Sequence, residues 1–259
     1  MVGERFAPYG YLPSSLRGQP AVVIQPEGRI TSVEPPLPAR ETTSDAGGDT
    51  GIGHVGITTL RADGSADIEL TQTYRGRYAI QLRTVFNKVP VSRRKDVVEA
   101  QLLGLSIPGG RLDELDVPNL DALDEPVTLA MNVDAPNFAR VAEGELVLEV
   151  PFLGSIAKLV RLPQRETPLY ISERLATRAE VELRITLPEG ASPIDLAEPV
   201  TIDEPRLKIV ANDAMEKGKL IIRRSVAVPA GRVQPEDYAA FKAKVLEGDD
   251  VLNLSLIHI

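Results

Sequence analysis

The 259-residue sequence contains no cysteine and no tryptophan. The first absence excludes disulfides, thiolate metal ligands and a thiol nucleophile. Aromatics reach only 4%, so a core has to be built from Val, Leu and Ile, an enrichment that leans towards β-structure. Histidine occurs twice, as His54 and His258, which leaves only two imidazoles to activate a hydroxyl nucleophile. Positive charge is also short, with 29 Lys and Arg against 37 Asp and Glu and a net charge of −8. That balance argues against a nucleic-acid partner, whose phosphates call for a clustered positive surface, and against an anionic membrane surface. No apolar run approaches the length of a membrane span. The opening MVGERFAPYG lacks the basic-then-apolar order of a signal peptide, so two readings stay open: a cytoplasmic protein, or a start that is not the natural one. No Gly-rich segment precedes a helix with Lys-Ser or Lys-Thr, so no nucleotide cofactor is expected.

What is present is an ordinary globular composition, 43% hydrophobic and 25% charged, with 21 prolines and 20 glycines marking many short elements joined by turns. Residues 1–25 read as a loop-like edge, and residues 26–53, containing PPLPARETTSDAGGDTGIG, as a connector with a boundary near residue 50. From residue 54 to 253 the period-2 pattern dominates. SADIELT, VTLAMNV, ELVLEV, AEVELRITL and KLIIRRSVAV each place alternate apolar residues on one face, with Arg224 breaking the last of them. Helical spacing covers Gly76–Val89, with Tyr78, Leu82, Val85 and Val89 on one face, and the stretch after Ser92, a candidate N-cap, with Val98, Leu102 and Leu105 together. QPEDYAAFKAKVLEG reads as a helix starting at Pro235, burying Tyr238, Phe241 and Val245 and stopping at Gly248. The expected fold is mainly β: an antiparallel β-sandwich with a few helical insertions and a C-terminal helix.

Candidate chemistry is thin. GHVG around His54 reads as a solvent-exposed or strand-edge histidine. The acidic stretch holding Asp113, Glu114, Asp116, Asp121, Asp124, Glu125 and Asp134 lacks the spacing of a calcium loop and reads as a solvated face. Asp45 and Asp49 read as turn residues. The pairs Arg93–Arg94 and Arg223–Arg224 are too short for an electrostatic footprint, while Arg161 and Arg165 fit salt bridges across a sheet. No catalytic, cofactor-binding or metal-ligating residue is assigned.

Several stretches taken together, RFAPYGYLPSSLRGQPAVVI, GRYAIQLR, LDEPVTLAMNVDAPNFARVAEGELVLEVP, RETPLYI, VELRITLPEGASP and KGKLIIRRSVAVPAGRVQPEDYAAFKAKV, resemble the carboxyl-terminal part of bacterial transglutaminase-like proteins that begin with domain of unknown function 3857. The resemblance implies a periplasmic or cell-envelope parent whose papain-like core carries a Cys-His-Asp triad. It also implies that residues 1–25 are the tail of that core, and that this chain is an accessory region which packs on the core or presents protein substrate to it. No triad residue can be carried to any position, because Cys is absent and the acid preceding the P-Y-G-Y-L-P motif would fall at or before Met1. Two other readings remain: a stand-alone module binding a glycan or envelope component, and a hydrolase built on carboxylates. A concave carboxylate cluster or exposed aromatics would separate these from the accessory reading.

The final LSLIHI, residues 254–259, follows an acidic region abruptly. Read back through the genetic code as CTG TCT CTT ATA CAC ATC, it resembles the mosaic-end adapter of transposase-based library preparation. The expectation is therefore that residues 254–259 are foreign to the fold and that His258 carries no function.

Overall fold

The computed structural model describes residues 5–8, 11, 20–26, 28–33, 50–142, 144–172, 174–193, 196, 198–253 and 257–258. A hairpin comes first, β1 (Ala21–Ile24) against β2 (Ile30–Val33), turning at Gly28 with φ 75°. Then follow β3 (Gly51–Leu60), β4 (Ala66–Arg75), α1 (Arg77–Lys88) and α2 (Val91–Val98), which runs on as a π-helical turn over Glu99–Leu103. After these come β5 (Arg111–Asp116), β6 (Val127–Ala135), β7 (Ala139–Ala142), β8 (Glu145–Leu148), a 3-10 turn at Ala157–Val160 and β9 (Leu169–Ile171). The chain continues through β10 (Thr177–Thr186), β11 (Val200–Glu204), β12 (Leu207–Glu216), β13 (Lys219–Val228), β14 (Gly231–Val233), α3 (Pro235–Asn253) and β15 (Ile257–His258).

Eight strands form one continuous sheet in the order β11-β12-β13-β10-β3-β4-β6-β5. Every pairing in it is antiparallel except β10 with β3, so two four-stranded antiparallel halves meet at one parallel seam. The expected mainly-β, antiparallel class with a C-terminal helix is what the chain adopts. Its strand layer is this single sheet, and the facing layer is built from helices and small sheets.

Strand alternation sorts the eight strands into an inner and an outer face. Inner residues of the first half, among them Ile68, Leu70, Leu129, Met131 and Val133, are buried with Phe86 of α1, Val98 of α2 and Leu146 and Leu148 of β8. Inner residues of the second half, among them Ile202, Ile209 and Val226, are buried with Ile171 of β9, Val233 of β14 and Tyr238, Phe241 and Val245 of α3. Most of the outer face stays exposed.

Four local expectations are corrected. Strand β3 begins at Gly51, so Gly51, Ile52 and Gly53 belong to the sheet rather than to the connector. Helix α1 buries Ala79, Ile80, Leu82, Arg83 and Phe86, while Val85 is exposed, because the helix turns Arg83 inward to anchor a loop. Helix α2 starts at Val91 with Pro90 before it and no side-chain cap, so Ser92 is not its N-cap, and Leu105 lies exposed beyond the π turn. Helix α3 passes through Gly248 instead of stopping there. A Cβ at that position would overlap Ile209 Cδ1 of β12, so the glycine serves close helix-to-sheet packing. The next residue, Asp249, caps the 3-10 turn, its Oδ1 accepting from the backbone N–H of Ile156 at 2.5 Å and of Ala157 at 3.2 Å.

The amino-terminal segment is only partly covered. Phe6 and Tyr11 are half-buried, and Phe6 lines a groove with Ile80, Thr84 and Val85 of α1. In the hairpin Val22, Ile24 and Ile30 are exposed. The pair Ile257–His258 lies antiparallel along Val147–Leu148 of β8.

Candidate functional site

The inner face is apolar except for a polar row across its centre and the buried Thr58 of β3, whose hydroxyl has no hydrogen-bond partner among the described residues. In register, Ala211 of β12 lies beside Arg224 of β13, then Val181 of β10, His54 of β3, Gln72 of β4 and Leu129 of β6. Arg224 and Asp213 form a fork-to-fork pair, Nη1 to Oδ1 at 2.5 Å and Nη2 to Oδ2 at 2.8 Å, with both side chains at or below 1% exposure. A second donation from Arg224 Nη1 reaches the Arg223 carbonyl at 2.9 Å. Such a pair holds geometry well, but it recovers in attraction little more than the desolvation it costs.

On the other side of the seam the buried polar groups are neutral. Tyr74 donates its hydroxyl to Gln72 Oε1 at 2.8 Å, and the Gln72 amide lies 3.0 Å from His54 Nδ1. With the amide donating, Nδ1 is the acceptor and the His54 proton sits on Nε2. The imidazole stacks on the Phe152 ring with centroids 4.7 Å apart and planes 7° from parallel. Phe152 holds φ at 74°, a left-handed conformation unusual for a side chain of that size. Burial pushes the His54 pKa down to about 4, and burial also raises that of Tyr74. The expectation of an exposed or edge histidine is therefore wrong: His54 is buried on a central strand, its ring neutral at pH 7. It is a poor general base, since its proton affinity is low and Nδ1 is already engaged.

The outer face has two zones. Across β12, β13 and β10 runs an ion-pair band in which Arg223 bridges Glu182 at 3.1 Å and Glu216 at 2.6 Å, and Arg184 holds Glu182 at 2.6 Å. Across β3, β4 and β6 lies an uncharged strip. Gly53 faces Thr73, which faces Thr128; Val55 faces Thr71, which faces Ala130; Ile57, at the next outward position, faces Glu69, where the strip ends. Val55 and Ile57 remain 41% and 42% exposed in the middle of the sheet.

The remaining sequence candidates are structural. Asp113, Glu114, Asp116, Asp121, Asp124 and Glu125 are exposed and Asp134 is half-buried, as a solvated acidic face requires. Among the described residues no group of three or more His, Asp or Glu side chains could hold a metal ion. The acidic loop instead wraps Arg83, whose guanidinium donates to the carbonyls of Leu120 at 2.9 Å, Ala122 at 2.5 Å and Glu125 at 2.7 Å. Desolvation lowers the Arg83 pKa, and Asp121, Asp124 and Glu125 oppose that shift. Arg93 pairs with Asp96, while Arg94 lies over the Phe86 ring and donates to its carbonyl. The cross-sheet salt bridges expected of Arg161 and Arg165 are not formed among the described residues. Arg165 donates to the Thr167 carbonyl and lies over the Tyr238 ring, in an irregular stretch with no sheet to span. Asp45 and Asp49, and the side chain of His258, lie outside the described residues. Among the described aromatic side chains only Tyr170 is exposed.

Residues 145–257 match a family described as a domain of unknown function with solved structure, DUF3858. RETPLYI, VELRITLPEGASP and KGKLIIRRSVAVPAGRVQPEDYAAFKAKV all lie inside that span. A crystal structure of a "putative protease" from Parabacteroides distasonis is similar over 41% of this chain, at 17% identity and a TM-score of 0.31. The similar region makes up 19% of that protein's chain. No curated protein matches this chain.

Proposed function

We propose that this chain is a non-catalytic accessory β-region of a transglutaminase-like cell-envelope protein, and that its outer sheet face packs on the catalytic core. The observation that carries this reading is the strip of Val55, Ile57, Thr71, Thr73, Thr128 and Ala130, an uncharged, mostly β-branched patch at the centre of an open sheet face, bordered by Glu69. Sheet faces stay open where one side meets water, but they are then usually studded with charge, as the neighbouring ion-pair band is. The hairpin, close in sequence to the segment that resembles the tail of such a core, also exposes Val22, Ile24 and Ile30. The lack of any cysteine removes the thiol nucleophile that the family's chemistry uses, and the neutral, buried His54 offers no alternative base.

The test is a titration of this chain with a separately expressed transglutaminase-like core, taken from a protein with the same carboxyl-terminal arrangement. Saturable binding should weaken at least about tenfold in the Val55→Asp/Ile57→Asp variant, the effect expected when charge enters the centre of an interface. Binding of equal strength in that variant would overturn the reading. The chain alone should show no amide-crosslinking or peptidase turnover that thiol reagents block.

A further inference from the structure

At one end of the uncharged strip the sheet carries a small basic cleft. Strand β3 has glycine at two consecutive outward positions, Gly51 and Gly53. In register, Gly51 lies opposite Arg75 of β4, and Gly53 lies between Thr73 of β4 and Glu180 of β10. A Cβ on Gly51 would come within 3.3 Å of the Arg178 side chain, and a Cβ on Gly53 within 3.5 Å of Arg75 Nη1. Two arginine side chains from flanking strands therefore lie over a floor that is bare backbone. They close a cleft of about 220 Å³ lined by Thr50, Gly51, Ile52, Arg75, Arg178 and Glu180.

The two guanidinia are not equivalent. Arg178 holds Glu180 Oε1 through Nε at 3.2 Å and Nη2 at 3.0 Å, which fixes its plane. The Arg75 guanidinium makes no ion pair or hydrogen bond with any described residue. Arg75, Arg178 and Glu180 leave the cleft with one net positive charge, in a chain whose overall charge is −8. An unpaired guanidinium over a glycine floor, beside a second one held in place, is a fork for a planar anion. The single net charge and the small volume match a monoanion rather than a phosphate dianion.

We infer that the Arg75–Arg178 cleft binds a carboxylate, and that in the assembled protein this is an acidic side chain of the domain docked on the outer face. The identity of the donor rests on the docking reading; the affinity for a carboxylate does not. On docking, Arg75 would exchange water for a charge-assisted, bidentate contact and so fix the register of a strip that is otherwise flat and uncharged.

The experiment is an NMR titration of the whole chain with a capped glutamate, which carries one side-chain carboxylate, and in parallel with inorganic phosphate. The amide signals of Gly51 and Gly53 should move saturably with the capped glutamate. The affinity should fall about tenfold in Arg75→Gln, the loss expected for one charge-assisted fork, and stay unchanged in Arg61→Gln, a control arginine at the other end of β3. Arg75→Lys, which keeps the charge but not the fork, should lose most of the binding. No saturable shift, equal affinity in Arg75→Gln, or tighter binding of phosphate would overturn the assignment. If the capped glutamate binds as expected while the Val55→Asp/Ile57→Asp variant still binds the catalytic core, the docking reading fails and the carboxylate site stands. Should the strip variant lose the core while no carboxylate binds, the site fails alone.

Discussion

The two faces of the eight-stranded sheet come from the same strands and the same alternation, yet they manage polarity in opposite ways. On the inner face each buried polar group of the central row has a committed partner: Arg224 has Asp213, and His54 and Tyr74 share Gln72. The outer face keeps an exposed ion-pair band over β10, β12 and β13, and leaves an uncharged patch of Val55, Ile57, Thr71, Thr73, Thr128 and Ala130 on β3, β4 and β6, bordered by Glu69 and Arg75 of β4. The polar groups of the central row are fixed by the fold and hold it in register. The outer strip lies outside both buried cores, which is why we assign it to a partner. Changes on the inner face should then cost stability, and changes on the outer strip should cost association.

The largest effect is expected from Asp213→Ala, which strands the Arg224 guanidinium in the core. Chemical unfolding should show a loss of about 3–5 kcal/mol. Replacing both partners by apolar residues of similar volume should recover most of that loss, because the pair's attraction only offsets its desolvation. If Asp213→Ala unfolds with wild-type stability, the inner face is not sealed.

Next in size is a pH effect on the neutral side of the same row. His54 is held down at about 4 in the folded chain by burial, against an ordinary value of 6.5. Between those two values the unfolded chain binds a proton that the folded chain refuses, so stability falls as the pH drops from 6.5 towards 4 and is unaffected by this group above 6.5. The full difference is about 3 kcal/mol at one unit per 1.36 kcal/mol. Unfolding free energies of wild type and His54→Gln, measured between pH 4 and 7, should converge towards acid by that amount, and parallel curves would contradict the buried, neutral assignment.

Smaller still is the stability cost on the outer face. Val55→Asp and Ile57→Asp should each cost no more than about 1 kcal/mol, the span of strand propensity at a half-exposed position. Deleting residues 254–259 should change stability least, since Ile257 and His258 add only two residues to the edge of β8. A loss above about 2 kcal/mol on deletion, the scale of burying one large apolar side chain, would mean that the tail is integrated into the core.

How far the sequence revealed this depends on which residues occupy inward positions. Strands β4, β6 and β10 alternate visibly, and β13 does so apart from Arg224. Strand β3 is hidden because Gly51, Gly53 and Gly56 leave three positions without a side chain to read and His54 occupies an inward one. A Cβ on Gly56 would come within 2.8 Å of Leu183 Cδ2, so that glycine marks close packing across the parallel seam, which looks like loop composition in one dimension. Strand β12 is obscured by Asp213, whose partner Arg224 is the one residue that spoils the pattern of β13. Two breaks in alternation on different strands are the signature of a buried pair, and linking them would have been the signal to use. The acidic stretch around Asp121 read correctly as solvated, but its carbonyl grip on Arg83 depends on a helix distant in sequence. Neither the uncharged strip nor the Arg75 cleft was legible, because each is assembled from outward residues of separate strands whose register is set only by the fold.

The most direct test of the outer face as a docking surface is hydrogen exchange of the chain alone and mixed with a separately expressed transglutaminase-like core. The account predicts new protection confined to β3, β4 and β6, with Val55 at its centre, Arg75 at its edge and the ion-pair band of β12 and β13 unchanged. Protection that appears only on the hairpin, or none on any of the three strands, would contradict it.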